Sequence, residues 1–439
     1  MAYHFSSAQC TTRQRVKGKD KQKHICSGGC KMKKIIILAS SIAAILVVTI
    51  TILVVMFVDF DKPSRNATSK YDDELVESVG NFTAVTAGNI LNKQENVCYS
   101  PASLYVALCV ASELMTDDAG KEVLTSLKYD NLEHMENGYK ELIERIIPPA
   151  SRDVVVNIVN SIWIQEEAKN YDSEEFIDSC SKKIPMEIFV KEFDKKEVNE
   201  WISDKTNGLI KEAVEEAESF HLINTTYFKG AWGDEFTLKD EDDFKLDSGE
   251  KIKVEYMESS YEDMYVRGKE YLAVEKNYMD NSKMIFVLPD QNKKLSELSN
   301  KEIINEIIAS FSNDEARKDA EITLKMPKFK TSCDIESEDM KKSLEEAGIK
   351  GVFDVSSWSN IVDALYVWKI GISQTTRISV DEEGTEAAAS TTISGIDWGV
   401  EEEEELIKIN MTLDRPFMYI ITSDDIPLFI GTVYNPTEG

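Results

Sequence analysis

The sequence predicts an α+β fold formed by one large domain. Stretches with the apolar spacing of helices are mixed with short runs of β-branched residues, and the two kinds do not alternate strictly. Hydrophobic residues make up 42% of the 439 residues, while glycine and proline are scarce. A sizeable core can therefore be buried, and we find no internal repeat that would indicate a solenoid.

Apolar spacing and turn residues predict the elements of this domain in order. Pro101 suits the first turn of a helix, because a proline lacks the N–H that has no helical partner there. The predicted helices cover residues 73–91, 104–115, 198–215 and 339–347. The predicted strands cover residues 97–99, 154–163, 220–227, 284–288, 322–329, 417–421 and 428–433, with a hairpin over 244–257.

A basic arm and a long apolar run precede this domain. Residues 1–34 hold nine basic side chains and one acidic side chain, and the 24 residues from Ile35 to Val58 carry no charge. About 20 apolar residues cross a bilayer as a helix, and positive charge stays cytoplasmic. We expect a single-pass type II anchor over 35–58, a stalk over 59–71 and an extracellular or lumenal domain over 72–439. The alternative is a cleaved signal peptide and a secreted protein.

Charge and sequence motifs limit the function classes. A net charge of -29 argues against nucleic acid as a partner. Only His134 and His221 follow the apolar run, and we find no nucleophile elbow, zinc-protease motif, phosphate-binding loop or dinucleotide fingerprint. The seven cysteines define no disulfide framework. We therefore expect no enzymatic activity, no cofactor and no metal.

Four Asn-x-Ser/Thr motifs follow the apolar run, at Asn66, Asn81, Asn224 and Asn410. Asn66 and Asn81 stand in polar surroundings, and we expect them to be glycosylated. Asn224 follows His-Leu-Ile and precedes Thr-Thr-Tyr-Phe, so we expect it to be buried and unmodified.

A segment of small side chains over residues 380–394 is the most unusual part of the sequence. Only small residues occur from Ala387 to Thr392. In a strand, Thr385, Ala387, Ala389 and Thr391 would share one face, which has neither charge nor bulk. Such a face can enter the interior of a sheet without a clash or a buried charge. The segment is thus compatible with both an exposed loop and a central strand.

The same segment resembles the hinge of the reactive loop in serpins. Further motifs similar to that family are spread over residues 72–439, at 97–104, 204–210, 222–232, 326–329, 414–417 and 429–436. The resemblance implies three β-sheets, about nine helices and an exposed reactive loop over about 382–405. It also implies a monomeric suicide-substrate inhibitor that forms a covalent complex with a serine protease. The hinge residues would be Glu382, Glu383, Gly384, Thr385, Glu386, Ala387, Ala388, Ala389 and Ser390.

Family spacing places the cleaved bond about sixteen residues after the first hinge glutamate. That position is Trp398–Gly399, which would suit a chymotrypsin-like pocket. A shift of one residue gives Asp397–Trp398 and an Asp-specific protease. The run Glu401–Glu405 is either a solvated extension of the loop or a site that attracts a basic protease surface. A non-inhibitory serpin that acts as a binding or chaperone protein is the alternative.

The resemblance also implies two residue clusters that control insertion of the loop. It further implies that a heparin-binding site is absent. Ser100, Ser103, Asn224 and Gln374 would form a hydrogen-bonded cluster beneath the sheet that opens. Trp232 and Lys276 would lie where the loop first enters, with a Lys276–Glu382 ion pair. The helix that binds heparin in some serpins would be acidic here, so heparin activation is not expected.

Overall fold

The described part of the chain contains nine α-helices, four short 3-10 helices and seventeen strands. The computed structural model describes residues 73–147, 153–182, 186–206, 208, 210–211, 214, 219–335, 337–367, 369–385 and 406–438. The helices are α1 Asp73–Ile90, α2 Pro101–Leu114, α3 Asp117–Ser126, α4 Leu132–Ile146, α5 Glu174–Ser181, α6 Lys195–Lys205, α7 Leu295–Leu298, α8 Lys301–Phe311 and α9 Ser337–Glu346.

The strands form three sheets. In chain order they are β1 Val97–Tyr99, β2 Val154–Ile164, β3 Glu187–Val190, β4 Phe220–Ala231, β5 Thr237–Leu238, β6 Asp242–Lys245, β7 Lys251–Val254, β8 Tyr256–Arg267, β9 Tyr271–Asn277, β10 Ser282–Pro289, β11 Lys318–Pro327, β12 Phe329–Ile335, β13 Ile370–Val380, β14 Gly384–Thr385, β15 Ile407–Thr412, β16 Phe417–Ser423 and β17 Ile426–Val433. Nine strands form one sheet in the order β1-β17-β16-β10-β9-β8-β11-β15, with β5 paired to β8. Six form a second sheet in the order β12-β13-β14-β4-β2-β3, and β6 pairs with β7.

Helix α2 lies at the centre of the fold because it is apolar on nearly every side. All of its residues are buried, and it contacts β4 and β17. Helix α6 covers the other face of the six-stranded sheet, where Val198 and Ile202 belong to a separate apolar cluster with Trp163 and Ile223. Both faces of this sheet are therefore covered around β2 and β4.

Most predicted elements are confirmed, but the helix predicted over 198–215 is wrong. The observed helix begins at Lys195 and ends at Lys205. Gly208 then adopts a left-handed φ of 81°, and its N–H donates to the carbonyl of Ser203, as at a helix terminus. The amphipathic pattern continues through Ile210 and Val214, because both side chains stay in the apolar cluster without helical backbone.

Several predictions fall on residues that the structure does not describe. They are the basic arm 1–34, the anchor Ile35–Val58, the stalk 59–71, Asn66, the hinge residues 386–390, the bond at 397–399 and the run Glu401–Glu405. Among the described helices, none is both long and apolar enough to cross a bilayer. Of the two predicted glycosylation sites, the structure describes only Asn81, which is half-buried on α1.

Candidate functional site: a hinge between two parallel strands

The six-stranded sheet contains two parallel strands that are paired at one end and separated at the other. Ile370 of β13 pairs with Phe220 of β4, and the pairing continues to Thr376 and Thr226. At the other end, β14 lies between the two strands and is antiparallel to both. Among the described residues, only the two of β14 occupy this position. Direct pairing of β4 with β13 closes the strand position from Thr226 and Thr376 to the far end.

Thr385 is the last described residue before the loop and is fully buried. It pairs with Val380 on one side and with Gly230 on the other. Its hydroxyl is 2.7 Å from that of Tyr278, and burial raises the pKa of Tyr278 above its ordinary value. The side chain of Thr385 therefore points to the interior side of the sheet, as its place in the predicted small-residue face requires.

Backbone hydrogen bonds hold the residues that lead into β14. The N–H groups of Trp232 and Phe236 donate to the carbonyls of Glu383 and Glu382, each at 3.0 Å. The indole N–H of Trp232 donates to the carbonyl of Asp381, also at 3.0 Å. The ring of Trp232 stacks on Tyr278 with centroids 4.4 Å apart. Trp232 thus lies where the sequence predicted it, against the start of the loop.

The predicted ion pair between Lys276 and Glu382 is wrong. Glu382 pairs with Lys328, whose Nζ lies 2.7 Å from a carboxylate oxygen, and this hydrogen bond lowers the pKa of Glu382. Lys328 follows β11 and precedes β12, so the sheet places it beside the hinge. Sequence motifs included Lys328 within residues 326–329, but they did not indicate its partner.

Lys276 is instead enclosed by aromatic rings beneath the hinge. It is only 1% exposed. Its Nζ donates to the Ser259 hydroxyl at 3.1 Å, and it lies 4.1 Å from the ring centroid of Tyr261 and 4.7 Å from that of Phe236. Burial lowers the pKa of Lys276 to about 8, which outweighs the opposite effect of the nearby carboxylates of Asp234 and Asp263.

The four residues predicted to cluster beneath the sheet are in mutual contact. The side-chain amide of Gln374 donates to Asn224 Oδ1 at 2.6 Å and to the carbonyl of Ser100 at 2.9 Å. The Asn224 amide donates to the carbonyl of Ser103 at 3.0 Å and to Asn160 Oδ1 at 2.6 Å. The cluster thus joins β4, β13 and β2 to the start of α2. Asn224 is 1% exposed, so the expectation that it is buried is confirmed.

Sequence reasoning missed several residues of this site, namely Asn160, Asp381, Phe236, Ser259, Tyr261 and Tyr278. Asn160 lies opposite Asn224 in the register of β2 with β4. The carboxylate of Asp381 accepts from the N–H groups of Glu383 and Gly384 and so shapes the turn before β14. One indication of Asn160 is present in the sequence, namely that an amide side chain stands within the otherwise mostly apolar strand 154–163.

The described part of the chain has a small cavity beside Glu275 and shows no metal-binding cluster. No group of three or more His, Cys, Asp or Glu side chains in that part of the chain is arranged to hold a metal. A cavity lined by Glu275, Ile285, Phe311 and Ile420, among others, has a volume of about 10 Å³. That is the room of about one water molecule.

Comparison with known proteins agrees with this geometry. The family model described as Serpin (serine protease inhibitor) matches residues 77–436. A serine protease inhibitor of Rattus norvegicus is 30% identical over 374 residues, covering 79% of this chain and 84% of the relative. Serpin A3-5 of Bos taurus is 28% identical over 366 residues, covering 79% and 85%.

Solved structures share the fold. The thermophilic serpin tengpin in its native state has 25% identity and a TM-score of 0.69, with 83% of this chain and 95% of that chain covered. Thyroxine-binding globulin in complex with thyroxine has 19% identity and a TM-score of 0.69, with 83% and 100% covered. AtSerpin1 of Arabidopsis in its native stressed conformation has 23% identity and a TM-score of 0.66, with 84% and 100% covered.

Proposed function

The chain belongs to the serpin family of serine protease inhibitors, and we propose that it inhibits an extracellular or lumenal serine protease by inserting its own cleaved loop. The protease serine would attack the carbonyl of the residue before the cut. The new ester would form as the peptide bond breaks, and the amine of the following residue would leave with a proton. Insertion of the freed strand would then distort the protease before water hydrolyses the ester.

The position of Thr385 is the observation that carries this proposal. Its side chain already lies on the interior side of the sheet, between two strands that pair with each other farther along. A central strand position therefore exists, and β14 fills its first two residues. Moving β4 away from β13 would let the next residues continue the same strand.

The register of β14 indicates which residues would follow. If the inserted strand continued along β4 in the register of β14, Ala387 would lie beside Phe228 and Ala389 beside Thr226. Thr391 would lie beside Asn224. These positions share the interior face with Thr385, and none of them carries a charge or a large side chain. Insertion would therefore bury no unpaired charge, which is the physical requirement for a fast process.

We propose that the protease cuts between Trp398 and Gly399 and has a chymotrypsin-like pocket. Burial of an indole ring provides a large apolar contribution to binding. Asp397–Trp398 is the alternative bond and would select an Asp-specific protease.

A non-inhibitory binding serpin is the second candidate, because thyroxine-binding globulin shares the fold. The small, uncharged residues Thr385, Ala387, Ala389 and Thr391 favour inhibition over a binding role, because such a strand face can enter a sheet without burying a charge.

We also propose that residues 35–58 anchor the protein as a type II membrane protein, with glycans on Asn66 and Asn81. In sealed microsomes, an added protease should remove the basic arm and leave residues 59–439 protected. Enzymatic deglycosylation should shift the mobility of the protein, and the double variant Asn66→Gln/Asn81→Gln should not shift. Release of residues 59–439 as a soluble product would indicate a cleaved signal peptide instead.

Covalent trapping is the direct test of the inhibitory function. Purified full-length protein is incubated with chymotrypsin, cathepsin G, elastase, trypsin and granzyme B, then boiled in detergent. We expect a complex with chymotrypsin or cathepsin G that survives boiling, and a released peptide that begins at Gly399. Trp398→Ala is the matched control and should lose this complex. Cleavage by every protease without any stable complex would contradict the proposal.

A further inference from the structure

A tight turn over residues 381–384 joins β13 to β14. The N–H of Asp381 donates to the carbonyl of Gly384 at 2.9 Å, and Val380 pairs with Thr385 where the two strands begin to run side by side. In an ordinary antiparallel pair the two residues exchange both backbone hydrogen bonds. Here the N–H of Gly384 donates to a carboxylate oxygen of Asp381 at 3.2 Å. A side chain thus takes the place of a backbone carbonyl in this turn.

The carboxylate and the carbonyl of Asp381 hold different partners. The same carboxylate oxygen also accepts from the N–H of Glu383 at 3.0 Å, while the carbonyl accepts from the indole N–H of Trp232 at 3.0 Å. Gly384 is buried, so its N–H would lose its partner away from water if the carboxylate were removed. Asp381 therefore closes the turn and ties it to Trp232 at the same time.

A series of contacts leads from Trp232 back to the end of the turn. Its ring stacks on Tyr278 with centroids 4.4 Å apart, and the hydroxyl of Tyr278 is 2.7 Å from that of Thr385. The turn and these two aromatic side chains together hold Thr385 on the interior side of the sheet. A strand that slips by one residue turns every side chain to the other face. The register of β14 is therefore fixed before the loop is cut.

We propose that Asp381 is the positioning residue that keeps the loop in this register and so decides whether insertion outruns release of the protease. This rests on the proposed function. With the turn already closed, insertion only lengthens an existing strand. Without the carboxylate, the hairpin has to form after the cut, and water has time to attack the ester. That hydrolysis returns the serine hydroxyl to the protease and leaves a carboxyl group on the cleaved loop.

The partition between trapped and released protease tests this role. The parent and Asp381→Ala, as full-length proteins, are incubated in excess with chymotrypsin and with cathepsin G. The complex and the cleaved inhibitor are quantified after boiling in detergent. We expect the ratio of complex to cleaved inhibitor to fall about tenfold in Asp381→Ala, which corresponds to about 1.4 kcal/mol. The rate of the first cut should stay at the parent value, because the proposed bond Trp398–Gly399 lies well beyond the turn in the sequence.

Two further variants separate the hydrogen bonds of Asp381 from a general loss of stability. Asp381→Asn keeps an oxygen acceptor at the same position, so it should keep the parent ratio. The matched control is Asp354→Ala. A carboxylate oxygen of Asp354 accepts from the N–H of Ser356 at 2.9 Å, with the same two-residue spacing as Asp381 and Glu383, but it caps a short 3-10 helix outside β13 and β14. Asp354→Ala should therefore keep the ratio as well.

The outcomes separate this role from the inhibitory function. A ratio in Asp381→Ala equal to that in Asp354→Ala would overturn the role of Asp381 and leave inhibition standing. Absence of any complex from the parent with every protease would overturn the proposed function and this inference with it. Should Asp381→Ala give no folded monomer, Asp381→Glu replaces it, because the longer side chain keeps the charge but moves the carboxylate away from the two N–H groups. An undiminished ratio in Asp381→Glu would then overturn the role of Asp381.

Discussion

Gln374 donates a 2.6 Å hydrogen bond from its side-chain amide to the side-chain oxygen of Asn224, across the line along which β13 and β4 would separate in the proposed insertion. Both side chains are buried, at 0% and 1% exposure. Separation of the two strands breaks this bond, and a buried polar group left without a partner costs about 1–3 kcal/mol. The inserted strand must therefore supply a polar group at this level.

Thr391 would reach that level, and its hydroxyl can both donate to Asn224 and accept from Gln374. We expect Thr391→Val to lower the unfolding free energy of the cleaved form by about 1–3 kcal/mol and to leave the uncut form unchanged. Denaturant titrations of the two forms measure this. Thr392→Val is the control, because residue 392 would face the opposite side of the strand. Equal effects of the two substitutions would show that the register is different.

The hinge position predicts a second result. Thr385→Arg would place a charge on the interior face beside Tyr278, and an unpaired buried charge is costly. We expect the variant to be cleaved normally but to give at least tenfold less boiling-resistant complex, since a cost of about 1.4 kcal/mol corresponds to a factor of ten. Glu383→Arg, at a half-buried position, should keep most of the complex. Complex formation by Thr385→Arg at the parent level would refute the hinge assignment.

The ion pair at the start of the hinge gives a third prediction. Two double-mutant cycles measure the coupling free energy of unfolding. One combines Lys328→Ala with Glu382→Ala, and the other combines Lys276→Ala with Glu382→Ala. For a partly exposed pair we expect a coupling of about 0.5–1 kcal/mol between Lys328 and Glu382. The cycle of Lys276 with Glu382 should give a coupling energy of about zero. A coupling energy as large as that of Lys328 would show that Lys276 pairs with Glu382, as expected from the sequence.

The buried Lys276 predicts how stability depends on pH. Its pKa is about 8 in the folded protein, against about 10.4 when unfolded, so the folded form binds the proton less tightly. The contribution of Lys276 to stability should therefore become more favourable between about pH 8 and 10.5, by about 3 kcal/mol in total. Asp234 and Asp263 oppose the shift, and the Ser259 hydroxyl is the hydrogen-bond partner. Burial raises the pKa of Cys109 and Cys333, which lowers stability above about pH 9 and opposes this trend. The check is therefore the difference in unfolding free energy between the parent and Lys276→Met, which should change in favour of the parent by about 3 kcal/mol across this range.

The sequence predicts much of this site, because short side chains and strand alternation are local properties. Thr385 could be assigned to the interior face on that basis, and Asn224 could be called buried from its apolar neighbours. The partner of Glu382 could not be predicted, since Lys328 reaches it only through the position of β12 beside β13 in the sheet. The length of α6 could not be predicted either, because Ile210 and Val214 stay buried without being helical.

Strand β13 itself was not predicted from periodicity. It contains Gly371, Ser373 and Thr375, which make its sequence less apolar than that of a usual central strand. Its position is explained by its neighbours on both sides, β12 and β4, which satisfy its backbone hydrogen bonds. The strand that would part from β4 in the proposed insertion is therefore the one with the weaker sequence signal.

Stability before and after a single cut in the loop tests the central claim most directly. The full-length protein is nicked within residues 386–405 by a protease that forms no boiling-resistant complex with it and is then separated from that protease. The denaturant midpoints of the nicked and uncut forms are measured side by side. If the cleaved loop becomes a strand between β4 and β13, the nicked form must unfold at a clearly higher denaturant concentration. A nicked form with the same or a lower midpoint would contradict loop insertion.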